Sequence, residues 1–353
     1  MSRPSIRDVA LLARVSVATV SRTLNTPEAV REPTAGRVHE AIDRLGFRPN
    51  HVGRNLRAGR TRTIGVVLPT FANAVFSECL QGLEAAAREL DFAVVPTATD
   101  YRVEDEREAC ERLLRHRVDG LILTVANARE SSMLDRLDRE RVPFVLVYNP
   151  VGAGRRLAVS VNNRRAAAQI VAHLVDIGHR RIHMLAGSLV TSDRAAQRHL
   201  GYRDALLAAG LAPQPLVEMP NHLGGNVGML RDLLGARHPP TALFCSNDVL
   251  ALGVLRDLQA LGRRVPDDVS LAGFDGIAFG TVVTPSLTTI VQPSADMGAR
   301  AMRLLVARLE GRRNLDSIEM PHALRLGEST HAPASRPTRT TRTARTTRQR
   351  RKP

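Results

Sequence analysis

Ile6-Arg-Asp-Val-Ala-Leu-Leu-Ala13, the pair Arg14-Val15, and Ser16-Val-Ala-Thr-Val-Ser-Arg-Thr-Leu-Asn25 read as two short helices joined by a tight turn. Ser5 with Asp8 three residues later makes a capping-box start for a helix over Ile6–Ala13, and Ile6, Val9, Ala10 and Ala13 share one face. Ser16 caps a second helix, Val17–Leu24, with Val20 and Leu24 turned inward, before Asn25, Thr26 and Pro27 break the chain. A third helix, about Thr34–Leu45, buries Val38, Ile42 and Leu45 and stops at Gly46. Two caps about three turns apart, with Ala10 and Val20 placed to pack where the helices cross, is helix-turn-helix spacing.

Beyond a basic connector at 48–60 the pattern changes. Apolar β-branched runs (Ile64–Leu68, Phe92–Val95, Leu121–Leu123, Phe144–Val147) alternate with helical stretches (Val75–Leu90, Glu104–Arg115, Ser131–Glu140), and the rhythm resumes from Arg164 to Ala272. Such alternation implies βαβ units, and about ten strands imply two parallel sheets. Ligands of parallel sheets bind outside the carboxyl ends of the strands, so the loops after strands are where to look.

Charge follows the same division. The 353 residues carry a net +15, of which residues 1–62 contribute 12 Arg against five Asp and Glu. Residues 336–353 add seven Arg and Lys352 with no acid, so the stretch between balances to zero. A neutral core with basic ends suits a chain whose ends alone meet polyphosphate. Arg336, Arg339, Arg342, Arg345 and Arg348 recur at three-residue intervals with nothing apolar larger than Ala or Pro, so residues 331–353 are expected to be a disordered basic tail.

Other functions are argued against. No apolar run approaches the roughly 18 residues of a membrane span, and the N-terminus has no signal-peptide core, so a cytoplasmic protein with no membrane partner is expected. Cys79, Cys110 and Cys245 match no zinc or redox spacing and read as reduced thiols. There is no G-x-S-x-G elbow, phosphate loop, H-E-x-x-H or helix-opening G-x-G-x-x-G, and His179 and His183 sit between a glycine break and a strand start. Neither catalysis nor a metal or other cofactor is expected.

The two-helix stretch, together with Leu45-Gly-Phe-Arg-Pro-Asn50, Arg60-Thr-Arg-Thr-Ile-Gly-Val-Val67, Arg198-His-Leu-Gly-Tyr202, Ser246-Asn-Asp-Val-Leu-Ala-Leu-Gly253 and Gly273-Phe-Asp275, resembles the LacI/GalR family of bacterial repressors over residues 6–330. The resemblance implies an all-α helix-turn-helix headpiece (1–49), a hinge helix (50–60) and an α/β periplasmic-binding-protein-like core of two parallel-sheet subdomains (61–330). The first subdomain would take about 61–162 and 291–321, the second about 163–290 and 322–330. It further implies a homodimer on operator double-stranded DNA and a small-molecule effector between the subdomains. Without a leucine heptad in the tail, no tetramer is expected.

By the same resemblance Val17, Ala18 and Arg22 read bases in the major groove, and Leu56 wedges into a minor-groove step. Ser5, Ser16, Thr19, Ser21 and Asn25 meet phosphates, and Asn73, Phe76, Tyr148, Arg198, Asn247 and Asp275 hold the effector. Several positions depart from the family pattern. Arg14 replaces a turn glycine, Gly53 weakens the hinge helix, and Ala35 and Gly36 replace a polar helix start, which together predict weaker operator binding. Thr70, Tyr148 and Asn162 stand where sugar-responsive members carry Asp, so the cleft is expected to be less negative and to take a sugar or a related, anionic metabolite.

Overall fold

The computed structural model describes residues 4–47, 61–152 and 156–333. The hinge with Leu56, the side chain of Asn25 and residues 334–353 of the tail lie outside these residues. Contacts divide the chain into two units at Arg62–Thr63.

The first unit holds α1 (Ile6–Ala13), α2 (Val17–Asn25), a 3-10 turn (Pro27–Ala29) and α3 (Glu32–Leu45). Asp8 Oδ2 fixes the start of α1 by accepting from Ser5 N at 2.7 Å and Ser5 Oγ at 2.8 Å. Ser16 Oγ accepts from Thr19 N at 3.1 Å and so caps α2. α3 begins two residues before the expected Thr34, because Pro33 in its first turn lacks only an N–H that would have no helical partner. Val9, Ala10, Ala13, Val20, Val38, Ala41 and Phe47 form the small core, which Ile6, Leu24, Ile42 and Leu45 flank. Arg14 sits at φ 53°, ψ 48°, the left-handed conformation that the missing glycine foreshadowed.

The second unit is two-lobed. In the first lobe β1 (Thr63–Leu68), β2 (Ala93–Ala98), β3 (Gly120–Leu123), β4 (Phe144–Val147), β5 (Ala158–Val161) and β11 (Ile318–Met320) form one parallel sheet in the order β11-β5-β4-β3-β1-β2. Helices α4 (Ala74–Glu89), α5 (Val103–Arg115), α6 (Ser132–Arg139) and α12 (Ser294–Leu309) belong with it. In the second lobe β6 (Ile182–Ala186), β7 (Val217–Glu218), β8 (Ala242–Cys245) and β9 (Ser270–Ala272) pair in the order β7-β6-β8-β9. Its helices are α7 (Asn163–Asp176), α8 (Asp193–Ala208), α9 (Val227–Gly235), α10 (Asp248–Ala260) and the single turn α11 (Phe279–Val282). β10 (Thr289–Val291) and β12 (Ala323–Arg325) pair antiparallel beside α7. The chain therefore passes between the lobes three times: after β5, between β10 and α12, and between β11 and β12.

In each lobe two helices meet through glycine. A Cβ at Gly298 of α12 would lie 2.0 Å from the Cys79 carbonyl oxygen on α4, and one at Gly201 of α8 would lie 2.0 Å from the Arg164 carbonyl oxygen on α7. Backbones this close leave no room for a side chain, so these glycines set the positions of α4 and α8.

One boundary moves. His331 was expected to open the tail, yet its carbonyl accepts from Ser270 Oγ at 3.1 Å and its N–H donates to the same hydroxyl at 3.2 Å. The buried ring of His179, reading in sequence as a weak metal-ligand candidate, spans Thr241 Oγ1 at 2.9 Å and Ser270 Oγ at 3.0 Å instead. The core thus includes residues 331–333.

Two substitutions test these backbone arguments. Gly36 lies inside α3 with open space where a Cβ would go, so Gly36→Ala should stabilise the headpiece by about 0.5–1 kcal/mol, read as slower amide hydrogen exchange in α1–α3 of the full chain. Gly201→Ala should cost the core about 1–3 kcal/mol in urea unfolding, because a backbone must move.

Candidate functional site

On the headpiece, Val17 (41% exposed), Ala18 and Arg22 lie on the open face of α2, while Val20 and Thr23 are buried beneath. The helical period decides this: positions 17, 18, 21 and 22 fall on one side, and 20, 23 and 24 on the other. Of the expected phosphate contacts, Ser16 is exposed and Thr19 and Ser21 are half-buried. Ser16 Oγ is already engaged as a cap, and Ser5 Oγ is bonded to Asp8. Arg22 carries the one full charge on this face of α2.

In the core, Asn73, Phe76, Tyr148, Arg198, Asn247 and Asp275 all line a single cavity between the lobes. Each follows a strand: Asn73 and Phe76 follow β1, Tyr148 follows β4, Asn247 follows β8 and Asp275 follows β9, while Arg198 comes from α8 after β6. Helix capping places the two asparagines, since Asn73 Oδ1 accepts from Val75 N at 3.2 Å and Asn247 Oδ1 accepts from Leu250 N at 2.9 Å. Phe76 meets Tyr148 edge-to-face at 5.3 Å, and Tyr148 Oη donates to the Val75 carbonyl at 2.7 Å. Tyr148 holds this pose at φ 68°, a left-handed backbone uncommon for an aromatic residue.

Arg198 is the centre of the cavity. It pairs with Asp275 Oδ1 at 3.2 Å, donates from Nε to Asn163 Oδ1 at 2.8 Å and from Nη1 to the Ser246 carbonyl at 2.5 Å, and lies 3.6 Å over the Phe274 ring. Asp275 also accepts from Asn73 Nδ2 at 3.2 Å and from Gln292 Nε2 at 2.8 Å. Burial pushes the Asp275 carboxyl up, against the pull of Arg198. Asp248, beneath this loop, is pushed up to about 7 by burial and by Asp275.

The same loops supply residues that the sequence reading passed over: Tyr101, Ser192, Arg194, His222, Ser246 and Gln292. Tyr101 of the first lobe stacks on His222 of the second at 4.2 Å. Asp193 accepts from Asn149 Nδ2 at 2.9 Å and from Ala128 N at 3.1 Å, and Arg194 Nη1 donates to the Val125 carbonyl at 2.8 Å. These contacts cross from one lobe to the other, and about 30 Å³ of free space remains, room for roughly one water. The rule that ligands sit beyond strand ends would have found Ser192 and Arg194 after β6. Of the three expected charge changes only one bears on the cavity lining: Tyr148 lines it, whereas Thr70 Oγ1 accepts from Ala72 N and Asn162 caps α7. The expectation that three lost acids reshape the cleft is corrected to one.

A helix-turn-helix with an exposed second-helix face, followed by a two-lobed parallel-sheet core with a cavity between its lobes, is the build of a DNA-binding transcriptional regulator. The chain belongs to the LacI family of bacterial regulatory proteins. Residues 5–50 match that family's profile, and residues 171–330 match the periplasmic binding protein-like domain. The chain is 34% identical to catabolite control protein A of Priestia megaterium, spanning 92% of this chain and 99% of that one. It is 32% identical to the HTH-type transcriptional repressor CytR of Escherichia coli (strain K12), spanning 87% and 90%. The crystal structure of the Lac repressor dimer bound to operator and the anti-inducer ONPF superposes with a TM-score of 0.83 at 26% identity, covering 94% of this chain and all of that one. Its relatives are regulators and not enzymes. Among the described residues no helix is long and apolar enough to cross a membrane, and no cluster of His, Cys, Asp or Glu could hold a metal.

The cleft predicts a pH effect. Burial, then Arg194 and Arg198, lower His222 from 6.5 to about 4. The unfolded chain protonates this ring below about pH 6.5 while the folded cleft resists until about pH 4, so the stability it contributes is full above 6.5 and lost as pH falls. The wild type's advantage over His222→Gln in urea unfolding should shrink by about 1–2 kcal/mol from pH 7 to pH 5, other groups cancelling in the difference.

Proposed function

We propose that the chain is a homodimeric repressor whose two headpieces bind a pseudo-palindromic operator and whose core senses a small polar metabolite between its lobes. It acts in the bacterial cytoplasm, at the nucleoid. The observation that carries the sensing role is the convergence of both lobes' post-strand loops on one cavity, bridged by Asn73–Asp275, Arg194–Val125 and Tyr101–His222. A ligand that takes over or breaks these bridges changes the angle between the lobes, and with it the separation of the two hinges at 50–60. That is a coupling free energy between two sites, about 1–3 kcal/mol in typical cases.

On DNA, Arg22 bonds a guanine edge with its two parallel N–H donors, and Val17 and Ala18 give apolar contact, for example to a thymine methyl. Ser5, Ser16, Thr19, Ser21 and Asn25 fix register on phosphates, and Leu56 wedges the central step. The left-handed Arg14 makes the turn costlier by about 1 kcal/mol than a glycine would, and the basic tail offsets part of the lost affinity through phosphate attraction.

Fluorescence anisotropy on matched operator and random duplexes tests the reading. Arg22→Ala should weaken operator binding by about 1–3 kcal/mol and relax the preference at one base pair, with little change on random DNA. Deleting residues 336–353 should flatten the salt dependence on both duplexes equally. A wild-type specificity ratio near one would overturn the regulator's sequence reading in favour of nonspecific binding.

A further inference from the structure

Buried polar atoms without partners are rare in folded proteins, and three belong to residues that line the inter-lobe cavity: Arg194 Nη2, Ser246 Oγ and Gln292 Oε1. Arg194 is 4% exposed. Its Nη1 is engaged by the Val125 carbonyl at 2.8 Å and by Asp193 at 3.4 Å, which leaves the Nη2 donors unmatched. The nearby carboxylates are already served by other donors: Asp193 by Asn149 Nδ2 and Ala128 N, Asp275 by Arg198, Asn73 Nδ2 and Gln292 Nε2. Glu106, the remaining acid on this side, accepts from Ala126 N at 2.6 Å. Arg194 Nη2 is thus left without an acceptor, while Gln292 Oε1 and Ser246 Oγ in the same lining are left without a donor.

The three orphan atoms describe the complement. A buried guanidinium gains most from an ionised acceptor, because charge-assisted hydrogen bonds are roughly twice as strong as neutral ones. Gln292 Oε1 requires a donor, which a hydroxyl provides and a carboxylate does not. Ser246 Oγ accepts or donates. Resting on the proposed effector role of this cavity, we infer that the effector is a small hydroxy acid, its carboxylate held by Arg194 Nη2 and a hydroxyl donating to Gln292 Oε1. The 30 Å³ of free space means that such a ligand enters when the lobes part. Arg194 also grips the other lobe through Val125, so an acid bound to it ties ligand occupancy to lobe closure.

The test is thermal shift and titration calorimetry on the full chain. The panel pairs C4–C6 hydroxy acids with their neutral counterparts, including D-glucuronate with D-glucose and D-galacturonate with D-galactose. The expected result is at least one acid binding tenfold or more tighter than its neutral partner, with Arg194→Gln abolishing that preference and Gln292→Met weakening the acid without erasing it. Arg194→Lys keeps the charge and is expected to retain part of the preference, which separates charge recognition from any loss of folding; operator binding without ligand reports that each variant is folded. A neutral sugar binding as tightly as its acid, or Arg194→Gln binding the acid within twofold of wild type, overturns the hydroxy-acid assignment and leaves the effector role standing. An acid that binds as expected but leaves operator affinity unchanged overturns the effector role instead. A panel giving no shift with the wild type overturns the hydroxy-acid assignment.

Discussion

A guanidinium removed from water must be met on every side, and the burial of Arg198 sets that demand at the centre of this core. Asp275, the Asn163 amide oxygen, the Ser246 carbonyl and the Phe274 ring meet it. These partners come from the start of α7, the ends of β8 and β9, and Asp275 in turn holds Asn73 across the cleft. One buried pair thus ties the loops after three strands and both lobes to a single geometry. Breaking such a pair leaves an uncompensated charge in a dry site, which costs far more than the intact pair gains.

The helix pairs give this centre a rigid frame. α8 carries Arg194 and Arg198, and its position is fixed where Gly201 touches the backbone of α7. α12 is fixed against α4 in the same way, and α4 begins at the Asn73 cap. Asn73 at the start of α4 and Arg194 and Arg198 near the start of α8 therefore face the cavity from helices held in place by these close backbone contacts.

The headpiece and the core were legible to different degrees. Both caps of the helix-turn-helix and the inward set Val9, Ala10, Ala13, Val20 and Val38 follow from period and spacing, because short helices depend on local signals. The long strands of the first lobe were equally plain. β5, β7, β10, β11 and β12 were not, since β7 has two residues and the others lie in stretches where no regular strand–helix alternation marks them, so they exist only through their neighbours. Glycine at 201 and 298 gives no hint of its helix-contact role until the facing backbone is in place.

Sequence by itself determined the order of parts, the segregation of charge to the two ends, the exposed face of α2 and, through family likeness, six residues that line one cavity. Tertiary structure alone decided which of those residues have hydrogen-bonding capacity left. Asn73, Tyr148 and Asn247 spend theirs on caps and carbonyls and Asp275 spends its own on Arg198, Asn73 and Gln292, whereas Arg194, Ser246 and Gln292 keep an atom unmatched. The reason is physical: a residue type fixes how many donors and acceptors exist, but only the packed neighbours fix how many remain.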